Sequence, residues 1–291
     1  MELRILKYFL EVAKESNISR AADVLHMTQP TLSRQIRQLE EELGVTLFLR
    51  EKHRIVLTEE GRAFYRRASE IVELVDRTVH EFGRSDHGLE GTLSIGCVET
   101  RSIQELGKIV HDFQQMYPHV SVNLHTALTN EIEEQMNKGL FDFGIMLEPV
   151  DVSEYYSLPF PEGEQWGVQV PENSRLAAFR ELRPEDLKDE RLIFPARALQ
   201  MKDGLKHWFG RWFDGLHIRA TYTLLNNAVC LAQQDVGAVI CLNIMDVMPG
   251  MAFIPMAGIP EMRAALVWKK HQVLSQVCRE FLFFCNYALN E

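Results

Sequence analysis

The chain has 291 residues, 46% of them hydrophobic, and carries a formal net charge of −10 at pH 7. That length supports about two domains with sizeable cores, and the acidity argues against a uniformly basic nucleic-acid binder. No apolar run approaches the roughly 18 residues of a membrane span, and "MELRILKYFLEVAKES" is charged throughout, unlike an export signal, so no membrane association and a cytoplasmic location are expected.

The charge is uneven. Residues 1–87 hold 14 Lys+Arg against 15 Asp+Glu, which leaves 17 against 26 for residues 88–291. The acidity therefore belongs to the C-terminal part, and a basic face in the first third is not excluded. The five cysteines (Cys97, Cys230, Cys241, Cys278, Cys285) are odd in number and form no CxxC. They read as buried free thiols rather than a disulfide framework or a zinc site, with a redox-sensing pair as the alternative.

Leu3, Leu6, Phe9, Leu10 and Ala13 predict a helix over residues 2–16. "SNIS" breaks it, and Ser19 is the expected N-cap of a second helix over residues 20–26, whose Ala21 and Ala22 allow close packing. After the short "MTQ" turn, Gln29-Pro30 opens a third helix. Pro30 sits where a missing N–H costs nothing. With Leu32 at zero degrees, Ile36, Leu39 and Leu43 fall within about 40° and form the core stripe. Pro30, Arg34 and Arg37 lie near the opposite side, with Ser33 on a flank. Two helices joined by a short turn, the second amphipathic, make a helix-turn-helix whose second helix can reach base edges. Taken alone, two arginines on an exposed face are more often solvated surface. The strand-like "LFLR" and "RIVLT" then flank "EKH" and predict a basic hairpin, a wing whose Arg50, Lys52, His53 and Arg54 would meet phosphates or the minor groove.

The string "AADVLHMTQPTLSRQIRQLEEELGVTLFLREKHRIVLTEEG" resembles the winged helix-turn-helix of LysR-type transcriptional regulators over about sixty ungapped residues. The resemblance implies that positions matching Gln29, Pro30, Ser33 and Arg34 face bases while wing residues grip the backbone. The expected DNA-facing set is Thr28, Gln29, Pro30, Thr31, Ser33, Arg34 and Arg37, with Arg50, Lys52, His53 and Arg54 from the wing.

Residues 58–83 predict one long helix, with Thr58 as N-cap, Glu59 and Glu60 at the positive end of its dipole, and Gly83 as the stop. Phe64, Ala68, Ile71, Val75, Thr78 and Phe82 recur at coiled-coil steps. Phe64, Ala68, Ile71, Val75 and Phe82 are the candidate dimerisation residues. Packing of this seam on the chain's own C-terminal part is the alternative. The resemblance implies a dimerising linker helix and tetramers assembled from dimers.

From residue 92 onward strands and helices alternate: "TLSIGCV", "SIQELGKIVHDFQQMY", "VSVNLHT", "NEIEEQMNKG", "FDFGIML". A second set follows Glu148–Pro149, running from "WGVQVP" to "GAVICL", and the chain returns with "AALVWKK" and a terminal helix. This predicts two α/β lobes with mostly parallel sheets and ligands beyond the C-terminal strand ends. The region resembles the family's effector domain, which has the fold of type 2 periplasmic binding proteins. It departs from the family pattern at Ala127, at Asp235-Val236-Gly237 and at Asn243. The fold class is thus multidomain: a mainly α winged helix-turn-helix (residues 1–58), a linker helix (59–87) and a two-lobed α/β domain (88–291). Lobe I takes about residues 88–160 and 265–291, and lobe II about 161–264.

Topology gives the pocket candidates: Thr100, Arg101 and Ser102 after the first strand, Thr129 and Asn130 after the second, Glu148 at the lobe crossing, Ala196 and Arg197, and Thr223 and Asn226. Each hydroxyl could equally be an ordinary helix cap. Arg101 and Arg197 favour an anionic effector, whereas Glu148 argues against one. No GxSxG, HExxH, Walker A or GxGxxG occurs and the ten histidines are scattered, so no enzyme, metal or cofactor is expected. The function expected is a sequence-specific DNA-binding regulator that answers to a small molecule. Its partners would be double-stranded promoter DNA, the effector, further copies of itself and RNA polymerase. The alternatives are a redox-responsive regulator of the same type, or a cytosolic solute-binding protein or enzyme with an N-terminal interaction module.

Overall fold

The computed structural model describes residues 1–51, 54–82, 88–151, 153–196, 198 and 204–290. It divides into two compact units, Met1–Arg84 and Ser85–Glu291.

In the first unit, α1 (Leu3–Glu15) buries Leu6, Phe9 and Val12 and ends on Ser16 in the left-handed region. Helix α2 runs Ile18–Val24, and its cap is Asn17 rather than the expected Ser19. The Asn17 Oδ1 accepts the N–H groups of Ser19 and Arg20 at 2.9 and 3.1 Å. The amide of Asn17 reaches two orphan donors of the first turn, which leaves Ser19 inside the helix. Ala21 and Ala22 are buried where α2 packs between α1 and α3 (Gln29–Leu43). Leu32, Ile36 and Leu39 are buried as their spacing demands, but Leu43 is 37% exposed. Leu43 lies on the same stripe, yet in the last turn before Gly44, where the helix outruns the core.

Strands β1 (Phe48–Glu51) and β2 (Arg54–Leu57) pair antiparallel, with Glu51 opposite Arg54. This wing is tied to α3 by a single acid: Glu40 Oε1 accepts the N–H groups of Leu47 and Phe48 at 2.7 and 3.1 Å. The side chain of Phe9 holds Phe48 and Phe64 at ring distances of 5.1 and 4.9 Å. Thr58 Oγ1 accepts the Gly61 N–H at 2.8 Å and donates to the Thr46 carbonyl, so it caps α4 (Glu59–Phe82) and fastens it to the wing. A Cβ on Gly61 would stand 2.1 Å from the Leu47 oxygen, so only glycine fits there. Helix α4 is about 36 Å long at 1.5 Å per residue. Its first half lies on α1, with Ala68 fully buried, Phe64 and Val72 half-buried, and an ion pair between Lys7 and Asp76 at 2.8 Å.

The second unit holds two five-stranded sheets. In the first, β3 (Glu90–Cys97) lies between parallel partners β4 (His119–Thr126) and β5 (Phe143–Leu147). Antiparallel β12 (Met262–Lys269) and β6 (Tyr155–Glu164) complete it, with β6 at the edge. Helices α5 (Ile103–Met116), α6 (Thr129–Asn137) and α10 (Gln276–Asn290) pack on this sheet. The second sheet runs β11-β7-β10-β8-β9, with β7 at Trp166–Pro171, β8 at Arg191–Pro195, β9 at His217–Tyr222, β10 at Ala238–Leu242 and β11 at Met251–Pro255. The short α7 (Pro184–Leu187) and α8 (Leu205–Phe209) and the longer α9 (Leu225–Gln233) belong to this lobe. Strands β5 and β10 are buried along their whole length, as central strands covered on both faces should be. The two lobes meet at Gln165, between β6 and β7, and again between β11 and β12. Strands β6 and β12 are thus whole members of the first sheet, which moves the lobe boundary beyond residue 160 to Gln165 and back before residue 265 to Met262.

Asp235 stands at φ 58°, where the resemblance led one to expect glycine, and pairs with Arg191 at 2.9 Å. Aspartate is among the few side chains that tolerate this region. Gly237 is retained for a different reason: a Cβ there would meet the Arg191 carbonyl oxygen at 2.5 Å.

Candidate functional site

On α3 the polar edge stands clear of the core. Thr28, Gln29, Pro30, Thr31, Arg34 and Arg37 are exposed and Ser33 is half-buried. Thr28 and Thr31 share a hydroxyl–hydroxyl hydrogen bond of 2.8 Å across the first turn. Arg34 and Arg37 are exposed, and among the described residues neither makes an ion pair. The buried stripe fixes the rotation of the helix, and that rotation sets which residues form the outer edge. The wing follows directly. Lys52 and His53 lie outside the described residues, as do the side chains of Arg50 and Arg54.

The five candidate dimerisation residues of α4 divide. Ala68 is fully buried and Phe64 half-buried where α4 packs within the unit. Ile71 is 42% exposed and Val75 half-buried, and Leu74 and Val79, which the heptad spacing did not select, are 43% and 65% exposed. The apolar face is wider than a two-position seam: one edge meets α1 and the other is open. The Phe82 side chain lies outside the described residues.

In the second unit a cavity of about 380 Å³ opens beyond the C-terminal ends of β3, β4, β5, β8, β9 and β10. That is the position a doubly wound topology predicts. Val98, Glu99, Thr126, Ala127, Leu128, Glu131, Leu147 and Met262 line it from the first lobe. Trp166, Pro195, Ala198, Tyr222, Thr223, Leu224, Leu225, Leu242 and Ile244 line it from the second. Such a volume and a mainly apolar wall suit a small molecule.

The polar groups are mostly engaged with the protein itself. Glu99 Oε2 accepts the Leu225 N–H at 2.8 Å, a first-lobe carboxylate capping a second-lobe helix. Burial pushes its carboxyl above the usual range, and that hydrogen bond partly offsets the shift. Tyr222 donates its hydroxyl to the Ile240 carbonyl at 2.8 Å, and burial raises its phenol well above the ordinary value. At the start of α5, the buried Glu164 carboxylate accepts the Thr100 hydroxyl and, at 2.8 Å, the Arg101 N–H. Burial raises the Glu164 carboxyl, against the lowering pull of those donors.

Of the sequence-derived pocket residues, Thr223 lines the cavity. Thr100 and Ser102 are buried and absent from the lining: the Thr100 hydroxyl donates to Glu164 and accepts the Ser102 N–H at 3.1 Å. Arg101 points to the exposed Asp246 at 3.4 Å and is absent from the lining. Thr129 is half-buried, and its hydroxyl has no hydrogen-bond partner among the described residues. Asn130 and Asn226 are exposed, and Glu148 and Ala196 are half-buried. Arg197 lies outside the described residues. Sequence reasoning missed Glu99, Glu131, Trp166 and Tyr222. The usable signal was topological, since Glu99 stands two residues past the end of β3 and Tyr222 ends β9.

Four of the five cysteines are buried and Cys230 is exposed, and none of them is in a disulfide. Burial raises Cys97 and pushes Cys241 and Cys285 up to about 12, which disfavours the reactive thiolate.

A winged helix-turn-helix in one chain with a two-lobed, cavity-bearing α/β unit defines the class of ligand-responsive DNA-binding regulators. Residues 3–62 match the family model described as the bacterial regulatory helix-turn-helix protein of the lysR family, and residues 86–289 match that of the LysR substrate binding domain. The chain belongs to the LysR family of transcriptional regulators. It is 33% identical over 197 residues to AlsR of Bacillus subtilis, a match covering 68% of this chain and 65% of AlsR. It is 29% identical over 287 residues to the hca operon transcriptional activator HcaR of Escherichia coli, covering 97% of this chain and 96% of HcaR. The solved structure of full-length CbnR with its target DNA shares the fold, with a TM-score of 0.77 at 23% identity, covering 99% of this chain and all of that one.

Proposed function

We propose that the chain binds promoter DNA sequence-specifically through α3 and the wing, and that a small molecule in the inter-lobe cavity alters that binding. The observation that carries this reading is the exposed edge from Thr28 to Arg37, held outward by a buried stripe on the same helix. In the major groove such an edge presents Arg34 for bidentate contact with guanine and Gln29 for adenine. Arg37 and the wing would meet phosphates, which position the protein without reading sequence. Dimer formation through the open edge of α4 supplies the second recognition helix that two half-sites require. Tetramers built from such dimers, contact with RNA polymerase, action in the cytoplasm and the absence of catalysis all follow from this reading. Among the described residues no helix is long and apolar enough to cross a membrane.

The effector acts by its difference in affinity for two arrangements of the oligomer. Its cavity is walled by both lobes, so filling it changes how they sit against each other. Footprinting on the DNA upstream of the chain's own gene tests the proposal. Sequence-specific protection that weakens with salt is expected, and protection that loses all sequence preference at moderate salt contradicts it. Repeating the footprint with cytosolic metabolites that raise the melting temperature identifies the effector.

A further inference from the structure

The chain joins the two lobes at two places, at Gln165 between β6 and β7 and again between β11 and β12, so any change in their arrangement turns about those crossings. Two side-chain bonds span the lobes elsewhere, both from the segment that follows β3. Arg101 reaches Asp246 at 3.4 Å, but the Asp246 side chain is 96% exposed, and a pair so open to water contributes little. Glu99 is placed differently. It is half-buried in the cavity wall, and its Oε2 accepts the Leu225 N–H at 2.8 Å. A hydrogen bond to a carboxylate away from bulk water is stronger than one in the open. Leu225 is the first residue of α9, and the N-cap position before it is Leu224, whose side chain has no acceptor. The Leu224 backbone nonetheless has the extended conformation of a cap, with φ −124° and ψ 119°. The helix of the second lobe thus takes from the first lobe the acceptor that its own N-cap residue lacks.

We propose that Glu99 is a latch between the lobes: it caps α9 across the cavity, and release of this one bond lets the lobes part. Only the consequence for DNA rests on the reading of the cavity as the effector site. With the lobes together, the Leu225 N–H lies beside a mainly apolar wall and needs its acceptor, because a donor left unpaired there costs more than the bond returns. Burial holds the Glu99 carboxyl above its usual range, so its charge resists the same arrangement. The acceptor oxygen, rather than the charge, therefore holds the lobes together. Anything that takes the Leu225 N–H from Glu99 frees the second lobe from the first, which gives the cavity a direct hold on how they sit.

Spin labels on Ser157→Cys in the first lobe and Asp214→Cys in the second, both exposed positions, measure the lobe spacing by double electron–electron resonance. The background is Cys230→Ser, which removes the exposed native thiol. The labelled full chain is diluted into unlabelled chain so that one pair is read per oligomer. One main distance is expected while Glu99 is present. Glu99→Ala should lower the ratio of that population to a longer one by about tenfold, with Glu99→Ser in reserve should the first fail to fold. Glu99→Gln keeps an acceptor oxygen without the charge and should keep the main distance. Asp246→Ala should change the ratio by less than about twofold. Leu224→Asp supplies a cap from within the second lobe; added to Glu99→Ala, it should restore the melting temperature and leave the longer population in place. An unchanged distance in Glu99→Ala overturns the proposal. So does a longer population as large in Glu99→Gln, or one that Leu224→Asp removes, since the bond would then serve α9 alone. The effector reading fails separately: if Glu99→Ala parts the lobes and leaves the footprint unchanged, the latch stands and the cavity's control over DNA does not.

Discussion

On α3 the residues proposed to meet DNA stand outside the core, with Gln29, Pro30, Thr31 and Arg34 exposed while Leu32, Ile36 and Leu39 are buried. In the two-lobed unit the polar groups beside the cavity turn inward: Thr100 and Glu164 are 4% and 2% exposed and bond to each other. The difference separates two designs. On the proposed function, α3 can lose a DNA-facing side chain without losing its fold, because the exposed edge and the buried stripe lie on opposite faces. The cavity wall is itself part of the core, so changes there alter binding and stability together.

Substitutions that cross the divide on α3 should have the largest effect. Leu32→Ala empties a fully buried site and should cost about 2–5 kcal/mol in denaturant unfolding of the first unit, with loss of operator binding as a consequence. Glu40→Ala removes the acceptor that ties the wing to α3. It should cost about 1–3 kcal/mol and increase amide exchange at Leu47 and Phe48. Asn17→Ala removes a helix cap distant from the polar edge and should cost about 1 kcal/mol without changing base preference.

In the second unit the expected effect is smaller and depends on pH. Glu164 and Glu99 have carboxyl groups raised above their usual value of 4.5 by burial, so the folded chain holds their protons to higher pH than the unfolded chain. Their contribution to stability is therefore fully present below about pH 4.5 and is lost as pH rises through the folded values. Glu164→Gln removes one such slope. Its stability relative to the unsubstituted chain should rise between pH 4 and pH 7 in parallel denaturant titrations. A constant difference across that range would mean that Glu164 is ionised as readily in the fold as outside it.

The same contrast explains what could be read from the sequence. The stripe Leu32, Ile36, Leu39 is local and periodic, so the rotation of α3 and its outer edge were legible. Leu43 followed the same period and still came out exposed, because periodicity does not say where the core ends. Ser19 and Asn17 are both good caps, and only the backbone decides between them. Strands β6 and β11 passed unnoticed: "YYSLPFPEGE" and "MAFIP" contain prolines, which a strand tolerates at a sheet edge, where both strands lie. The cavity was placed correctly beyond the strand ends, but its lining was not. Glu164 is 64 residues from Thr100 in the chain, and no local pattern announces that it would occupy the start of α5. The sequence left those hydroxyls open between ligand contact and helix capping, and in the fold the Thr100 hydroxyl is bonded to Glu164.

The central claim is that the exposed edge of α3 reads DNA while taking no part in holding the fold. Arg34→Ala tests it most directly, by operator affinity and melting temperature measured on the same preparation. The affinity for the protected sequence should fall by about 1–3 kcal/mol while binding to random DNA and the melting temperature stay unchanged. An unchanged preference for the operator over random DNA would remove Arg34 from the reading edge and contradict the account.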